Sequence, residues 1–135
     1  MTDRHLSRIG VILAVADVAT VTDFYRDVLA FTVDTVYDDP AYATLSRGSV
    51  RLSLAEAGHP AEDLPDYEMT TIPDPHRPFA MLVIETDDCA ALTAEVRGRG
   101  ARIVSEVFRP PWGGARSFIS DPEGNLIELE EPAWD

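Results

Sequence analysis

One carboxylate lies inside an apolar segment near the end of the chain. Glu128 follows Leu126 and Ile127 and precedes Leu129. Because a strand alternates its faces, Glu128 shares a face with Leu126 and Glu130. A carboxylate in such surroundings lies at an open mouth, in an ion pair or in a functional cavity. The chemistry open to it is that of a metal ligand, a general base or an attractor of cations.

A turn places this strand. Asp121, Pro122 and Gly124 occupy positions i, i+1 and i+3 of a four-residue segment, the residue types that a type I turn prefers at those positions. The segment 111–129 is therefore interpreted as strand, turn and strand. Whether Glu128 has metal-ligand partners elsewhere decides most of the functional question.

Composition excludes several classes of function. The 135 residues carry a net charge of −13 with a pI near 4.4, which argues against nucleic acid and anionic membranes as partners. Cys89 is the only cysteine, so an intrachain disulfide and a cysteine-rich zinc site are both excluded. No apolar run approaches the roughly 20 residues that span a bilayer, and no signal peptide is evident, so a cytoplasmic location is expected.

Hydrophobic periodicity predicts two similar modules. Each begins with a strand and a helix and continues with three strands. Asp17 is expected to cap the first helix, and Gly98 to end the second. The predicted strands are 8–15, 31–37, 42–47, 50–55, 79–86, 102–107, 115–120 and 126–131, and the predicted helical faces are 21–29 and 89–96.

Between the modules lies a proline-rich segment. Residues 57–78 hold five of the ten prolines together with several acidic residues, which predicts a linker or surface loop. Its role is left open. We expect one domain over 1–135, with module one at about 7–56 and module two at about 79–132. The fold class expected is α+β, two βαβββ modules forming a curled mixed sheet around a cleft.

The motifs of both modules resemble those of a known family. They are 15–17 with 24–31 in the first module, and 111–113 with 121–129 in the second. The chain resembles the vicinal oxygen chelate superfamily, which contains glyoxalases, bleomycin resistance proteins and extradiol dioxygenases. The resemblance spans nearly the whole chain except the linker. Ala30 stands where the family usually has glycine.

The resemblance also implies where a metal would be held. Enzymes of this family bind a divalent metal through four side chains, and their positions carry over to Gly10, Ser53, Met81 and Glu128. Only Glu128 is a usual ligand type. The three histidines, His5, His59 and His76, lie outside these positions. We therefore expect no metal and no cofactor.

Two functions follow from the resemblance. The favoured one is a metal-free small-molecule-binding protein, with bleomycin-type antibiotic sequestration and resistance as its role, acting as a homodimer. The alternative is an enzyme, a lyase, isomerase or dioxygenase with a rearranged metal site or none. Glu128 would then be ligand or base, with His5 or His76 as helper.

Strand parity predicts which residues line the cleft. The ligand expected from the acidic balance and the aromatic residues is a planar cation, anchored by Trp112 and attracted by Glu128. Further flat surfaces are expected from Tyr37, Tyr42 and Phe108. Asp38 and Asp39 are expected at the rim of the cleft, where they would add to the attraction of the cation. The full predicted binding set is Gly10, Tyr37, Asp38, Asp39, Tyr42, Arg51, Ser53, Met81, Phe108, Trp112, Phe118 and Glu128.

Overall fold

The structure, a computed structural model, describes residues 4–133; the ends of the predicted domain, 1–3 and 134–135, lie outside the described residues. The described chain forms eight strands and two helices. They are β1 (Gly10–Val15), α1 (Val18–Asp27), β2 (Thr32–Asp38), β3 (Ala41–Arg47), β4 (Val50–Glu56), β5 (Leu82–Glu85), α2 (Cys89–Gly98), β6 (Arg102–Phe108), β7 (Ala115–Ser120) and β8 (Leu126–Glu131).

The strands form two four-stranded mixed sheets with the same topology. The first has the order β1-β4-β3-β2 and the second the order β5-β8-β7-β6. In each sheet the first strand of the module, β1 or β5, pairs in parallel with the last strand of that module, β4 or β8. All other pairs are antiparallel. The expected α+β class with two βαβββ modules is confirmed.

The contacts divide the chain into two compact units. The first comprises the residues up to Arg26 together with Ala30–Thr71, and the second comprises Asp27–Leu29 together with the chain from Ile72 onward. Each unit contains one of the two sheets. No helix within residues 4–133 is long and apolar enough to cross a membrane.

In the first unit, one face of the sheet is buried. Leu45, Leu52 and Leu54 are fully buried, as is Val15 at the end of β1. Helix α1 buries Tyr25, whose ring lies edge-on to Phe31 at 5.8 Å between centroids. The apolar face expected over 21–29 is buried at Val21, Tyr25, Val28 and Leu29, but α1 ends at Asp27, so the last two lie just beyond the helix.

In the second unit, α2 packs on β6, β7 and β8. Ile119, Ile127 and Leu129 are fully buried. Polar atoms at this contact are paired, because the Thr93 and Ser117 hydroxyl oxygens lie 2.8 Å apart. Cys89 is also buried there, and its sulfur lies 3.4 Å from the Leu129 carbonyl oxygen.

Strands β1 and β5 are less buried than the sequence predicts. Both were expected to be buried strands, but Ile12 is 46% exposed and Val83 49% exposed. The cause is position, since each is an edge strand and one face of each sheet is open. Phe79, expected within the fifth strand, lies before β5 and is 96% exposed.

Caps and turns follow the sequence closely. The Asp17 carboxylate accepts hydrogen bonds from the Thr20 amide at 3.0 Å and the Thr20 hydroxyl at 2.8 Å. These bonds hold the pKa of Asp17 below its ordinary value. Asp88 caps α2 in the same way, accepting from the Ala91 amide at 3.0 Å. Both helices therefore begin where a capping carboxylate stands.

Ala30 adopts a conformation that disfavours any side chain. Its φ is 58°, and it is the one non-glycine residue with positive φ in the described chain. We expect Ala30→Gly to raise the free energy of unfolding by about 1 kcal/mol, because glycine adopts this region without steric cost. Thermal and urea unfolding measure the change.

Ala94 provides the matched control for that substitution. It is exposed within α2, where glycine lacks the helix propensity of alanine. Ala94→Gly should therefore lower the free energy of unfolding by about 1 kcal/mol. A loss of similar size at Ala30 would contradict the prediction.

Candidate functional site

The open face of the first sheet carries one continuous row of predicted site residues. Gly10 pairs with Arg51, and Ile12 pairs with Ser53, so these four share the face opposite the buried leucines. Ser53 is 4% exposed and lies beside Thr44 of β3. The structure therefore brings Gly10, Arg51 and Ser53 together, as strand parity suggests.

A cavity of about 470 Å³ lies over this row. That volume falls within the range of small-molecule sites in proteins. A Cβ on Gly10 would lie 2.9 Å from the Arg51 carbonyl oxygen and 3.1 Å from its Cβ, so glycine leaves room beside Arg51. The residues that line the cavity are Ser7, Arg8, Gly10, Val11, Ile12, Tyr42, Arg51 and Ser53.

The open face of the second sheet places Glu128 at its centre. Glu128 of β8 pairs with Val83 on one side and with Phe118 on the other. Its neighbours in sequence, Ile127 and Leu129, are fully buried on the opposite face. The alternation expected around this carboxylate is therefore present, and Phe118 rather than Ile119 faces it.

Arg116 lies between two aromatic rings on the same face. Its guanidinium carbon is 5.4 Å from the centroid of the Phe118 ring and 6.0 Å from that of the Phe108 ring. Both distances fall within the range of cation–π attraction. A cation of the protein itself thus lies over the ring that Phe108 was expected to offer a ligand, and over the ring of Phe118, which was expected to line the cleft.

A smaller cavity of about 70 Å³ joins the tryptophan loop to β8. Trp112 and Glu128 both line it, together with Arg116 and Glu130. Trp112 itself is 72% exposed. The two residues expected to anchor and attract a ligand therefore lie at one site.

The tryptophan loop is held by its glycines. The Gly113 amide donates to the Pro110 carbonyl at 3.0 Å, which closes the turn containing Trp112. Gly114 has a φ of 76°, and a Cβ there would lie 2.5 Å from the Glu131 carbonyl oxygen. Only glycine permits so close an approach of the loop to β8.

The three glutamates at this cavity differ in their partners. Glu131 accepts a hydrogen bond from the Cys89 amide at 3.0 Å and lies 3.8 Å from the Arg109 guanidinium. It therefore serves the start of α2. Glu128 and Glu130 face the cavity from alternate positions of β8.

The pKa of Glu128 lies above its ordinary value of 4.5. Partial burial is the main cause, and the negative charge and hydrogen bond of Glu130 add to it. Arg116 acts in the opposite direction. A carboxyl group whose pKa is raised in this way is suited to attracting a cation or to exchanging a proton.

The donor atoms present do not fit a divalent metal. Within residues 4–133 no three His, Cys, Asp or Glu side chains converge as metal ligands would. On the neighbouring strands, Val83 and Phe118 stand opposite Glu128 and offer no donor atom. Glu130 is the one further carboxylate on this face of β8, and Glu131 is engaged by the Cys89 amide. Ser53 is surrounded by Ile12 and Thr44. Metal sites require three or four fixed protein ligands, and these residues supply too few.

Several residues of the predicted site lie away from both cavities. Tyr37 contacts Tyr42, with ring centroids 6.4 Å apart, but does not itself line the first cavity. Asp38 ends β2 and Asp39 lies in the following turn. Met81 directly precedes β5 and is 42% exposed. The binding roles of these residues, like those of the rest of the predicted set, remain predictions.

Two arginines were missing from the predicted set. Arg8 lines the first cavity, and Arg116 lines the second and stacks on both phenylalanines. Parity would have found both, because Arg8 stands two residues before Gly10 and Arg116 two residues before Phe118. Arg116 lowers the pKa of Glu128, the direction expected of a nearby cation, although the two side chains do not form an ion pair in the described chain.

Solved structures share this fold over nearly the whole chain. TioX from Micromonospora sp. ML1 is 21% identical, covers 93% of this chain and 98% of its own, and gives a TM-score of 0.74. TnmS3, an antibiotic binding protein from Streptomyces sp. CB03234, is 23% identical over 98% of both chains, with a TM-score of 0.67. VPC_CASS1, from the mobile metagenome of V. Pseudocholerae, is 26% identical over 97% of this chain and 96% of its own, with a TM-score of 0.66.

A family model settles the relationship. No curated protein sequence matches the chain. The model described as Glyoxalase/Bleomycin resistance protein/Dioxygenase superfamily matches residues 5–129, which include both sheets up to β8. The chain therefore belongs to the glyoxalase/bleomycin resistance protein/dioxygenase superfamily.

Proposed function

We propose that this protein is a metal-free small-molecule-binding protein that sequesters an antibiotic of the bleomycin type in the cytoplasm. The observation that carries the proposal is the placement of an exposed indole, Trp112, beside the carboxylate of Glu128 at one cavity. At about 70 Å³ this cavity would hold one cationic group of the ligand and not the whole molecule. The description of TnmS3 as an antibiotic binding protein supports the same class of function. The poor donor set around Glu128 and Ser53 supports binding without a metal.

The chemistry of the second unit favours a planar cation as ligand. Glu128 and Glu130 supply negative charge at the cavity, while Trp112 offers an exposed indole. An aromatic face attracts cations, and carboxylates at the cavity edge strengthen that attraction. Arg116 is already stacked on its two phenylalanines, and Trp112 is the aromatic residue among those that line this cavity.

Binding of such a cation should depend on pH. Ionised Glu128 attracts the ligand, so affinity is highest above the raised pKa of Glu128 and falls as the pH drops through it. Glu128→Gln should weaken binding at neutral pH and reduce its pH dependence. Titrations with bleomycin across the acidic range measure both effects.

The stability of the Glu128→Gln variant provides its own check. A raised pKa means that the folded protein holds the Glu128 proton more tightly than the unfolded chain does. Ionisation above that pKa therefore costs stability, and Glu128→Gln should leave the fold intact at neutral pH. Glu62→Gln, in the loop after β4, makes the same change in net charge and should alter neither binding nor its pH profile.

We also propose that the protein acts as a homodimer. The support is an exposed apolar side chain shortly before the first strand of each module: Ile9 precedes β1 and is 81% exposed, and Phe79 precedes β5 and is 96% exposed. Large exposed apolar side chains in clusters commonly mark association surfaces. Sedimentation velocity should give twice the mass of the chain, and a monomer at all concentrations would contradict this part of the proposal.

The central test is direct binding. Calorimetric titration with bleomycin and related cationic antibiotics should show saturable binding at micromolar concentrations. Treatment with EDTA should leave the affinity unchanged. Tightly bound stoichiometric metal, lost together with binding in Glu128→Ala, would overturn the metal-free proposal. Absence of binding to every antibiotic would overturn the sequestration role.

The raised pKa of Glu128 supports a second candidate function. A carboxylate of this kind serves as a general base in enzymes, so proton abstraction by Glu128 is the step to test. The reactions to test are those expected of the family, turnover of thiol adducts of methylglyoxal and of catechols. Turnover that disappears in Glu128→Gln would favour an enzyme over a binding protein.

A further inference from the structure

We propose that the cavity of the first unit is a separate anion site that takes a small planar aromatic carboxylate. This inference deepens the proposed function, because it assigns a ligand class to the first unit, and it rests on the proposal that the chain binds small molecules. The juxtaposition that carries it is Arg8 and Arg51 with Tyr42 around one cavity.

The lining of this cavity is positively charged. Arg8 and Arg51 line the cavity, and none of the described residues lining it is acidic. Within residues 4–133 neither guanidinium forms an ion pair or a hydrogen bond. Two unpaired arginines at one cavity are notable in a protein whose net charge is −13.

The lining residues also favour a planar, partly apolar ligand. A guanidinium presents its donors in a planar fork that matches a carboxylate. Tyr42 supplies an aromatic face, Ile12 an apolar wall and Ser53 a hydroxyl. The volume of about 470 Å³ accommodates a fused two-ring or three-ring compound. A planar aromatic acid satisfies all of these groups together.

The cavity of the second unit carries mostly negative charge. There the cavity is lined by Glu128, Glu130 and Glu131, with Arg116 already held against two rings. The chain therefore carries two cavities of opposite charge, one in each unit. Anionic and cationic probes should depend on different residues.

The experiment uses three naphthalene derivatives that share one skeleton: the carboxylate, the primary amide and the aminomethyl cation. Their affinities for the full chain are measured by NMR titration, which also locates each probe. The carboxylate should bind about tenfold more tightly than the amide and should shift the amides of Gly10, Ile12 and Ser53.

Two arginine variants test the assignment of the charge. Arg51→Gln and Arg8→Gln should each weaken carboxylate binding by about tenfold and leave amide binding unchanged. Both side chains are exposed, so the fold should persist, and thermal unfolding verifies it. Arg51→Lys should recover part of the loss, because it restores the charge without the planar fork.

Arg26→Gln is the matched control. Arg26 lies on α1, pairs with Asp23 at 3.2 Å and is absent from the cavity, yet its substitution changes the net charge equally. It should leave carboxylate affinity unchanged. An equal loss in Arg26→Gln would show that overall charge, rather than this cavity, governs binding, and would overturn the inference.

The outcomes separate this inference from the proposed function. Equal affinity for carboxylate and amide, or tighter binding of the cation at this cavity, would overturn the anion site and leave antibiotic binding in place. Failure of the carboxylate to bind would also overturn the anion site. Failure of bleomycin to bind, with the carboxylate effects intact, would overturn the sequestration role alone. Glu128→Gln should affect the cationic probe and not the carboxylate.

Discussion

Substitution of Asp121 by alanine should destabilise the protein by about 3 kcal/mol, the largest stability change expected outside the apolar core. Asp121 is 3% exposed. One carboxylate oxygen accepts the amide protons of Glu123 and Asn125, each at 2.9 Å, and the other accepts from the Asn125 side-chain amide at 2.9 Å. Alanine would leave these donors without their charged partner.

Loss of the Asp121 side chain should also weaken the backbone hydrogen bonds of the same turn. The Gly124 amide donates to the Asp121 carbonyl at 3.0 Å, and the Asp121 amide donates to the Asn125 carbonyl at 2.9 Å. Gly124 adopts a φ of 87°, so the turn depends on both residues. A loss of about 3 kcal/mol corresponds to a fall of roughly 10 °C in the melting temperature of a domain this size.

Two variants define the controls for Asp121. Asp121→Asn keeps an acceptor oxygen and the side-chain shape, so it should lose only part of the stability. Asp34→Ala removes an exposed aspartate from β2 and should change the free energy of unfolding by less than about 0.5 kcal/mol. Equal melting temperatures for Asp121→Ala and Asp34→Ala would show that the turn is held by its backbone alone.

That turn also explains how much of the fold the sequence reveals. Strands β7 and β8 have the bounds that the sequence predicts, because a tight turn with a defined hydrogen-bond pattern fixes both strand ends and their register. Once the register is fixed, alternation places Phe118 beside Glu128 without further information. Strand bounds and register can therefore be predicted from sequence where the residues of a turn favour one turn type.

Edge strands show where these rules fail. The sequence of β5 is as apolar as that of a buried strand, yet Val83 is half exposed. Hydrophobic composition indicates that a strand can be covered, but it does not indicate how many of its faces are covered. The same limit applies to Ile12 of β1.

The stacking of Arg116 depends on a feature that the sequence does not display. The pairing of β6 with β7 shifts between Ser105 and Phe108, and this irregularity sets Phe108 opposite Arg116. Without this irregularity, Phe108 would not stand opposite Arg116. Tyr37 and Asp38 of β2 were predicted to bind the ligand but do not line the first cavity. Residue type alone does not indicate how far along a strand a cavity extends.

Substitution of Trp112 by alanine should weaken binding of a planar cationic antibiotic by about 2 kcal/mol, close to thirtyfold in affinity. Trp112 is 72% exposed and lines the same cavity as Glu128. The rings of Phe108 and Phe118 already face the Arg116 guanidinium, so a ligand would have to displace that cation to use them. The indole carries no such occupant in the described chain.

The loop should hold the indole in place before binding. The Gly113 amide is bonded to the Pro110 carbonyl, and Gly114 lies against the Glu131 backbone. A side chain presented on a fixed loop loses less conformational entropy when a ligand binds. Because Trp112 is exposed, its removal should leave the melting temperature unchanged, so the effect on affinity can be read separately from folding.

Calorimetric titration with bleomycin measures the affinity of each variant. Trp112→Phe should retain part of the binding, because a smaller aromatic face remains. Tyr67→Ala removes an aromatic residue that is 70% exposed but lines neither cavity, and it should leave the affinity unchanged. If Trp112→Ala binds bleomycin as tightly as the unmodified protein, the indole is not the anchor. Phe108 would then be the next residue to replace, since its ring becomes available wherever a ligand displaces Arg116.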